Sequence, residues 1–393
     1  MLRLAIILGL LGLIGPLAID MYLPAMPMIA TDLGATEAQI QQTLTAYFLT
    51  FGMAQLFYGP LADRTGRKLP ILLGLAIFGL GSVGATLADS AGSLAFWRAV
   101  QGLGGASLMV VTRAVIRDRY TGVEATRLMA MLMLVISVSP MLAPLAGTVV
   151  IAFADWRAIF GVLAVLALVN LAVALLALPE TLPAERRRAL NFGALLRGAK
   201  VLLSDPVFVS LTLIGGFGMA SFFVFIASAS FVYTGQFGLS ATGFSLAFAV
   251  NAVGFFGASQ VAGALGARYG ITRVVRAGVW GFFGFTATLA LIALAGGATL
   301  PVIMAGLFLG NACLGLVIPT AMVLSLDEHG DIAGLASSLG GTLQMLVGGL
   351  MITLSGLFFD GTALPMLLAI AVCSTVALTL MLVVFSRRSR ATA

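Results

Sequence analysis

Charge is scarce in this chain. Only 9% of its 393 residues are Asp, Glu, Lys or Arg, against about 25% in a soluble domain, and that excludes a water-soluble fold. Histidine is nearly absent: His329 stands alone, in a loop where it reads as a solvated residue. The two cysteines, Cys313 and Cys373, both lie inside apolar runs and read as small buried hydrophobes, with no disulfide and no metal cluster in prospect. There is no G-x-S-x-G elbow and no Walker motif, which argues against a hydrolase and against ATP as the energy source. No cofactor or metal is expected, and energy should come from an ion gradient. A net charge of +6 and a pI near 9.8 would suggest nucleic acid in a soluble protein. Here the charges belong to loops, and no nucleic-acid partner is expected.

What is present is hydrocarbon. Apolar residues make up 60% of the chain, and runs of roughly 20 recur along it, each long enough to cross a bilayer core. The run after Arg3 continues through Asp20 and Tyr22 without a small-residue cleavage pattern, so it reads as a retained first span and not as a signal peptide. Charge and turn clusters divide the runs into twelve predicted helices at 4–30, 40–62, 69–88, 94–116, 128–154, 158–178, 207–234, 242–265, 274–295, 300–326, 332–359 and 364–385. In lipid each segment must satisfy its own backbone hydrogen bonds, so an all-α integral membrane protein follows.

Lys and Arg orient it. Of the 21, only Arg98, Arg113 and Arg157 fall outside the N-terminus, the alternate loops and the C-terminal tail. The positive-inside bias therefore predicts both termini in the cytoplasm and an even number of spans. The longest polar stretch, 179–205, contains Glu185-Arg186-Arg187-Arg188 and reads as a cytoplasmic linker between six-helix bundles at 1–178 and 206–393. A faint repeat agrees: Gly59-Pro60-Leu61-Ala62-Asp63-Arg64-Thr65-Gly66 is matched by Gly263-Ala264-Leu265-Gly266-Ala267-Arg268-Tyr269-Gly270, at a constant offset of 204. Repeated halves are a transporter signature, with the substrate expected near the midplane where they meet.

The segment Gly59 to Lys68 resembles the loop 2–3 motif of the major facilitator superfamily, which implies that family's fold of twelve helices in two pseudo-symmetric bundles. The resemblance also implies a gating charge relay of Asp63 and Arg67 with Asp118 at the end of helix 4, where Arg113 lies nearby. Gly15-Pro16-Leu17-Ala18-Ile19-Asp20-Met21-Tyr22-Leu23-Pro24 is similar to the helix 1 motif of the drug/proton antiporter branch, particularly its bicyclomycin-resistance (Bcr/CflA) subgroup. Arg98-Ala-Val-Gln101-Gly102-Leu-Gly104 is similar to the helix 4 motif whose Arg is associated with proton coupling. In helix 5, Ser139, Ala143, Pro144 and Gly147 fall in a stretch resembling the antiporter motif. Ser139, Ala143 and Thr148 stand where glycine is commonest, and their small size preserves close packing.

Asp20 and Arg98 are the ionisable residues expected within the membrane, where charge is costly and function is the default reading. At 1.5 Å per residue they lie roughly 9 and 7 Å inside the outer ends of their helices. The family's helices 1, 4, 7 and 10 line a cavity, so the resemblance implies that the two side chains approach one another. Asp20 is the expected proton carrier, with Arg98 and Gln101 as modulators. An apolar surrounding favours a neutral carboxyl group and a nearby guanidinium favours the ionised one. Tyr22, Gln41, Tyr47, Gln55, Phe222, Phe225, Asn251 and Asn311 are the candidate substrate contacts. The expectation is proton-coupled efflux of amphipathic molecules by a monomer in a bacterial inner membrane. The alternative is a metabolite symporter or facilitator on the same fold.

Overall fold

A computed structural model describes residues 2–120, 122–187, 192–327 and 329–391. Arg188 and Glu328 lie outside them. The described residues are helical almost throughout and form two compact units, Met1–Phe192 and Gly193–Ala393.

In the first unit the helices are α1 (Leu2–Asp20), α2 (Met26–Asp32), α3 (Glu37–Thr65), α4 (Lys68–Thr86), α5 (Ala91–Arg119), α6 (Gly122–Phe153) and α7 (Arg157–Ala177). The second has α8 (Phe192–Ser204), α9 (Pro206–Phe231), α10 (Ala241–Tyr269), α11 (Ile271–Leu294), α12 (Leu300–Leu326), α13 (Ala333–Gly356) and α14 (Ala363–Ala391). Among the described residues, eleven helical segments are long and apolar enough to cross a membrane, counting α1 to α2 as one span. The twelfth long helix, α3, is more polar, and its 29 residues extend about 43 Å at the α-helical rise, ample for a bilayer core. The chain is a multi-pass membrane protein.

The first predicted span is corrected by the structure. The helix does not run unbroken from 4 to 30: α1 stops at Asp20, a 3-10 turn covers Leu23–Ala25, and α2 restarts at Met26. Pro24 and Pro27 account for the break, because neither offers an N–H to the preceding turn and each favours the first turn of a new helix. Within the stretch expected to be a linker, 192–204 forms α8. Leu195, Leu196, Leu202 and Leu203 lie among its basic and small residues, giving one apolar and one polar side.

Caps fix the helix starts. Thr36 and Gln39 form a reciprocal capping box on α3, and Ser90 with Ser93 does the same on α5. The sequence repeat reappears as a repeated turn: Gly66 (φ +97°) ends α3 and Gly270 (φ +87°) ends α10, each donating its N–H to the carbonyl four residues back. Side chains rarely adopt those angles, so glycine is required at both. Packing repeats as well. In the first unit α5 receives α3 and α4, α4 also meets α7, and α1 touches α5, α6 and α7. The second repeats this with α12 receiving α10 and α11, α11 meeting α14, and α9 touching α12, α13 and α14.

His329 is not the solvated loop residue expected. Its Nε2 lies 2.8 Å from Asp205 Oδ2, and its ring meets the edge of Phe208. Asp205 also caps α9 through the Val207 N–H. Although burial pushes the Asp205 carboxyl up, the hydrogen bonds from His329 and from backbone N–H groups outweigh it and hold the group below the usual carboxylate range.

Candidate functional site

The break after α1 places Asp20 on the last residue of a helix, 3% exposed. The dipole of α1 opposes an anion at that end, so an ionised Asp20 needs a compensating cation. No hydrogen bond or ion pair reaches its carboxyl group among the described residues.

Arg98, at 0% exposure, lies inside the same unit on α5. Its Nη1 donates to the Ala18 carbonyl at 2.9 Å and to Gln101 Oε1 at 2.7 Å, and Gln101 Nε2 donates onward to Ser82 Oγ at 2.8 Å. The Ala18 carbonyl is one of those a helix leaves unpaired at its C-terminal end, so Arg98 caps the terminus that carries Asp20. The structure does not pair the two side chains directly. Aromatic faces enclose the guanidinium instead, with ring centroids of Tyr47, Tyr22 and Phe160 at 4.6, 5.1 and 5.9 Å from Cζ. Its Nε and Nη2 have no hydrogen-bond partner among the described residues, nor does the Tyr47 hydroxyl. Tyr47 is close enough to feel the charge of both Arg98 and Asp20, while the Tyr22 hydroxyl is tied to Thr43 Oγ1 at 2.8 Å.

Small residues permit this assembly. A Cβ on Gly102 would collide with the Tyr47 carbonyl, and a Cβ on Gly147 would collide with the Met21 carbonyl, one residue past Asp20. The antiporter-like segment of α6 thus packs directly against the break in the first span. Ser139 and Ala143 are buried on that helix, and Pro140 and Pro144 lie within it.

A second cluster sits at the basic end of the unit, in the turn between α3 and α4. Arg67 donates to Asp118 through Nε at 2.7 Å and Nη2 at 3.2 Å, and to Asp63 through Nη1 at 2.6 Å. Thr181 adds a hydrogen bond to Asp118 Oδ2 at 3.1 Å. Asp63, Arg67 and Asp118 come together as the motif implied. Arg113 does not join them, and it makes no ion pair among the described residues.

Glu180, which the motif reading missed, holds the turn from below. Its carboxylate accepts the backbone N–H groups of Arg67 and Lys68, at the start of α4, and of Thr181 and Leu182. A Cβ on Gly66 would collide with that carboxylate. Burial pushes the Glu180 carboxyl up, but the four backbone donors outweigh it and hold the group below the usual carboxylate range. At the opposite end Asp32 accepts from Trp156 Nε1 at 3.0 Å and Arg157 Nη1 at 2.8 Å. That gives Arg157, the one Arg expected in an opposite-side loop, a partner.

The other candidate contacts are buried within their own units. Gln41 and Gln55 lie on α3, and Gln55 Nε2 lacks a partner among the described residues. In the second unit Phe222 stacks on Phe255 at 5.1 Å and Phe225 on Phe248 at 5.6 Å. Asn251 Oδ1 on α10 and Asn311 Nδ2 on α12 are buried, both without a partner among the described residues.

Comparison with known proteins follows the same lines. The sequence profile of the Major Facilitator Superfamily matches residues 8–352. The chain is 33% identical to an uncharacterized MFS-type transporter, YdgK, of Bacillus subtilis, covering 93% of this chain and 91% of that one. It is 30% identical to a bicyclomycin resistance protein homolog of Haemophilus influenzae, covering 93% and 92%. Among solved structures a D-xylose-proton symporter matches with a TM-score of 0.76 at 15% identity, over 97% of each chain, a likeness of fold alone.

Proposed function

Because the chain belongs to the major facilitator superfamily, and is therefore a membrane transporter of small molecules and not an enzyme, we propose that it is a proton-driven exporter of amphipathic compounds. In this reading it is a drug/proton antiporter of the bicyclomycin-resistance subgroup, working by alternating access as a monomer in a bacterial inner membrane. Both termini face the cytoplasm, and residues 179–205 link two bundles, 1–178 and 206–393.

One observation carries the reading: the Asp20 carboxyl is buried at a helix break with no partner among the described residues, while the buried Arg98 caps the carbonyl two residues before it. A buried carboxylate without a partner is costly. Asp20 therefore alternates between a protonated neutral form and an ionised form that a cation compensates. That cation is either a bound substrate or the Arg98 guanidinium, through its Nε and Nη2 donors, after it swings off Ala18. Substrate entering from the cytoplasm displaces the proton, and reprotonation from outside displaces the substrate. Gln101, anchored on Ser82, limits how far Arg98 swings.

Tyr22, Tyr47, Gln41 and Gln55 offer substrate contacts in the first bundle, and Phe222, Phe225, Asn251 and Asn311 in the second. Gln55 Nε2, Asn251 Oδ1 and Asn311 Nδ2, each buried without a partner among the described residues, support that role, since buried polar atoms are normally satisfied. The Asp63–Arg67–Asp118 cluster serves as a gate latch at the cytoplasmic end, and Ser139, Ala143, Pro144 and Gly147 keep α6 close to the α1 break.

The test is Asp20→Asn in everted vesicles at matched expression. Proton-driven export should be abolished while the variant still inserts and runs as a monodisperse species. Export at the wild-type rate excludes Asp20 as the carrier.

A further inference from the structure

At the basic end of the first unit, where α1 begins and α5 and α7 end, Arg3, Leu4, Ile7, Arg119, Tyr120 and Ala177 line a half-open cleft of about 280 Å³. Its floor and rim differ in chemistry. Ile7 is buried and Leu4 and Ala177 are half-buried, while both arginines are exposed. Neither Arg3 nor Arg119 makes an ion pair or side-chain hydrogen bond among the described residues. The neighbouring carboxylate, Asp118, is taken by Arg67 and Thr181. Two positive charges therefore flank an apolar slot with no carboxylate paired to them among the described residues.

We propose that the cleft binds the headgroup of an anionic phospholipid of the cytoplasmic leaflet. The phosphodiester sits between Arg3 and Arg119, and the first methylenes of an acyl chain lie along Leu4, Ile7 and Ala177. The placement rests on the orientation given above, which puts the ends of these helices at the cytoplasmic headgroup layer. Three physical points carry it. Guanidinium groups match phosphate oxygens in paired hydrogen bonds. Basic pockets between spanning helices on this side of a membrane suit acidic headgroups. And only an amphipathic ligand uses both the charged rim and the greasy floor; a soluble anion gains nothing from Leu4 or Ile7. A bound headgroup would also tie the start of α1 to the end of α5, the helices that carry Asp20 and Arg98.

The experiment measures retention of phosphatidylglycerol against phosphatidylcholine by native mass spectrometry of purified full-length protein. Each arginine near an anionic headgroup contributes on the order of fivefold in binding, so Arg3→Gln with Arg119→Gln should reduce the phosphatidylglycerol preference about 20- to 30-fold. Arg127→Gln, at the same end but outside the cleft, should leave it unchanged. In the unmodified chain a photoactivatable phosphatidylglycerol should cross-link to peptides containing Leu4 or Tyr120, which guards against a double variant that folds poorly. Wild-type preference in the double variant, cross-links spread evenly over the surface, or equal displacement by soluble glycerol phosphate would each overturn the proposal. Retention is read on solubilised protein without transport, so a failed export assay with intact retention counts against the efflux reading and not against this site.

Discussion

Replacing Glu180 with Gln isolates the group that holds the α3–α4 turn. The carboxylate accepts four backbone N–H groups, three at Oε1 and one, from Lys68, at Oε2. Glutamine keeps one acceptor oxygen and sets its NH2 against the Lys68 N–H. The orphaned donor costs about 1–3 kcal/mol where it is shielded from water, and the lost anion at the N-terminus of α4 costs about 0.3–1 kcal/mol. Glu180 is exposed, so water screens both effects and a total of about 1–2 kcal/mol is expected.

The dependence on pH supplies the sharper check. Because the folded-state pKa of Glu180 is depressed, its stabilisation is complete above the unfolded value of about 4.3 and disappears as pH falls through the lower folded value. Denaturant unfolding in detergent should show a constant gap between wild type and Glu180→Gln from pH 7 to about pH 5, closing on further acidification. A gap under about 0.3 kcal/mol at pH 7, or one that survives acid unchanged, would refute the argument.

Three further substitutions probe the Arg67 cluster and the packing of α6. Asp118→Asn should destabilise the protein by about 1.5–3 kcal/mol, because its partner Arg67 is shielded and bound through two nitrogens. Asp63→Asn should cost less than about 1 kcal/mol, since that carboxylate is 55% exposed; equal costs in the same unfolding assay would contradict the assignment. Gly147→Ala should cost about 1–3 kcal/mol and slow export, because the added methyl meets the Met21 backbone. Wild-type stability together with a wild-type rate would show that α6 does not brace the break.

The first half of the chain was more legible than the second because its chemistry is written in charge. That Asp63, Arg67 and Asp118 meet was legible because their order is a motif and burying charge leaves few alternatives. The burial of Asp20 and Arg98 was legible from depth alone. That they do not pair was not legible, since counting along a helix gives height but not the direction in which a side chain points. The aromatic cage and the capped Ala18 carbonyl are the reason, and both depend on that direction. The break at Met21 to Ala25 was hidden by its apolarity, although Pro24 and Pro27 signalled it. Glu180 and Ser82 carry no pattern of their own: each acts on groups distant in sequence, Glu180 on backbone 113 residues away. In the second unit the Gly270 turn was visible as a repeat of Gly66, but Ala267 and Ile271 stand where Asp63 and Arg67 do, so no relay accompanied it.

The central claim is that Asp20 gives up a proton when substrate binds. Proton release from purified protein in weakly buffered detergent, on addition of chemically diverse amphipathic antibiotics, measures this directly. Wild type should release protons with any compound it binds, and Asp20→Asn should bind without release. Equal release from the variant, or binding to the wild type with no proton released, would contradict the account.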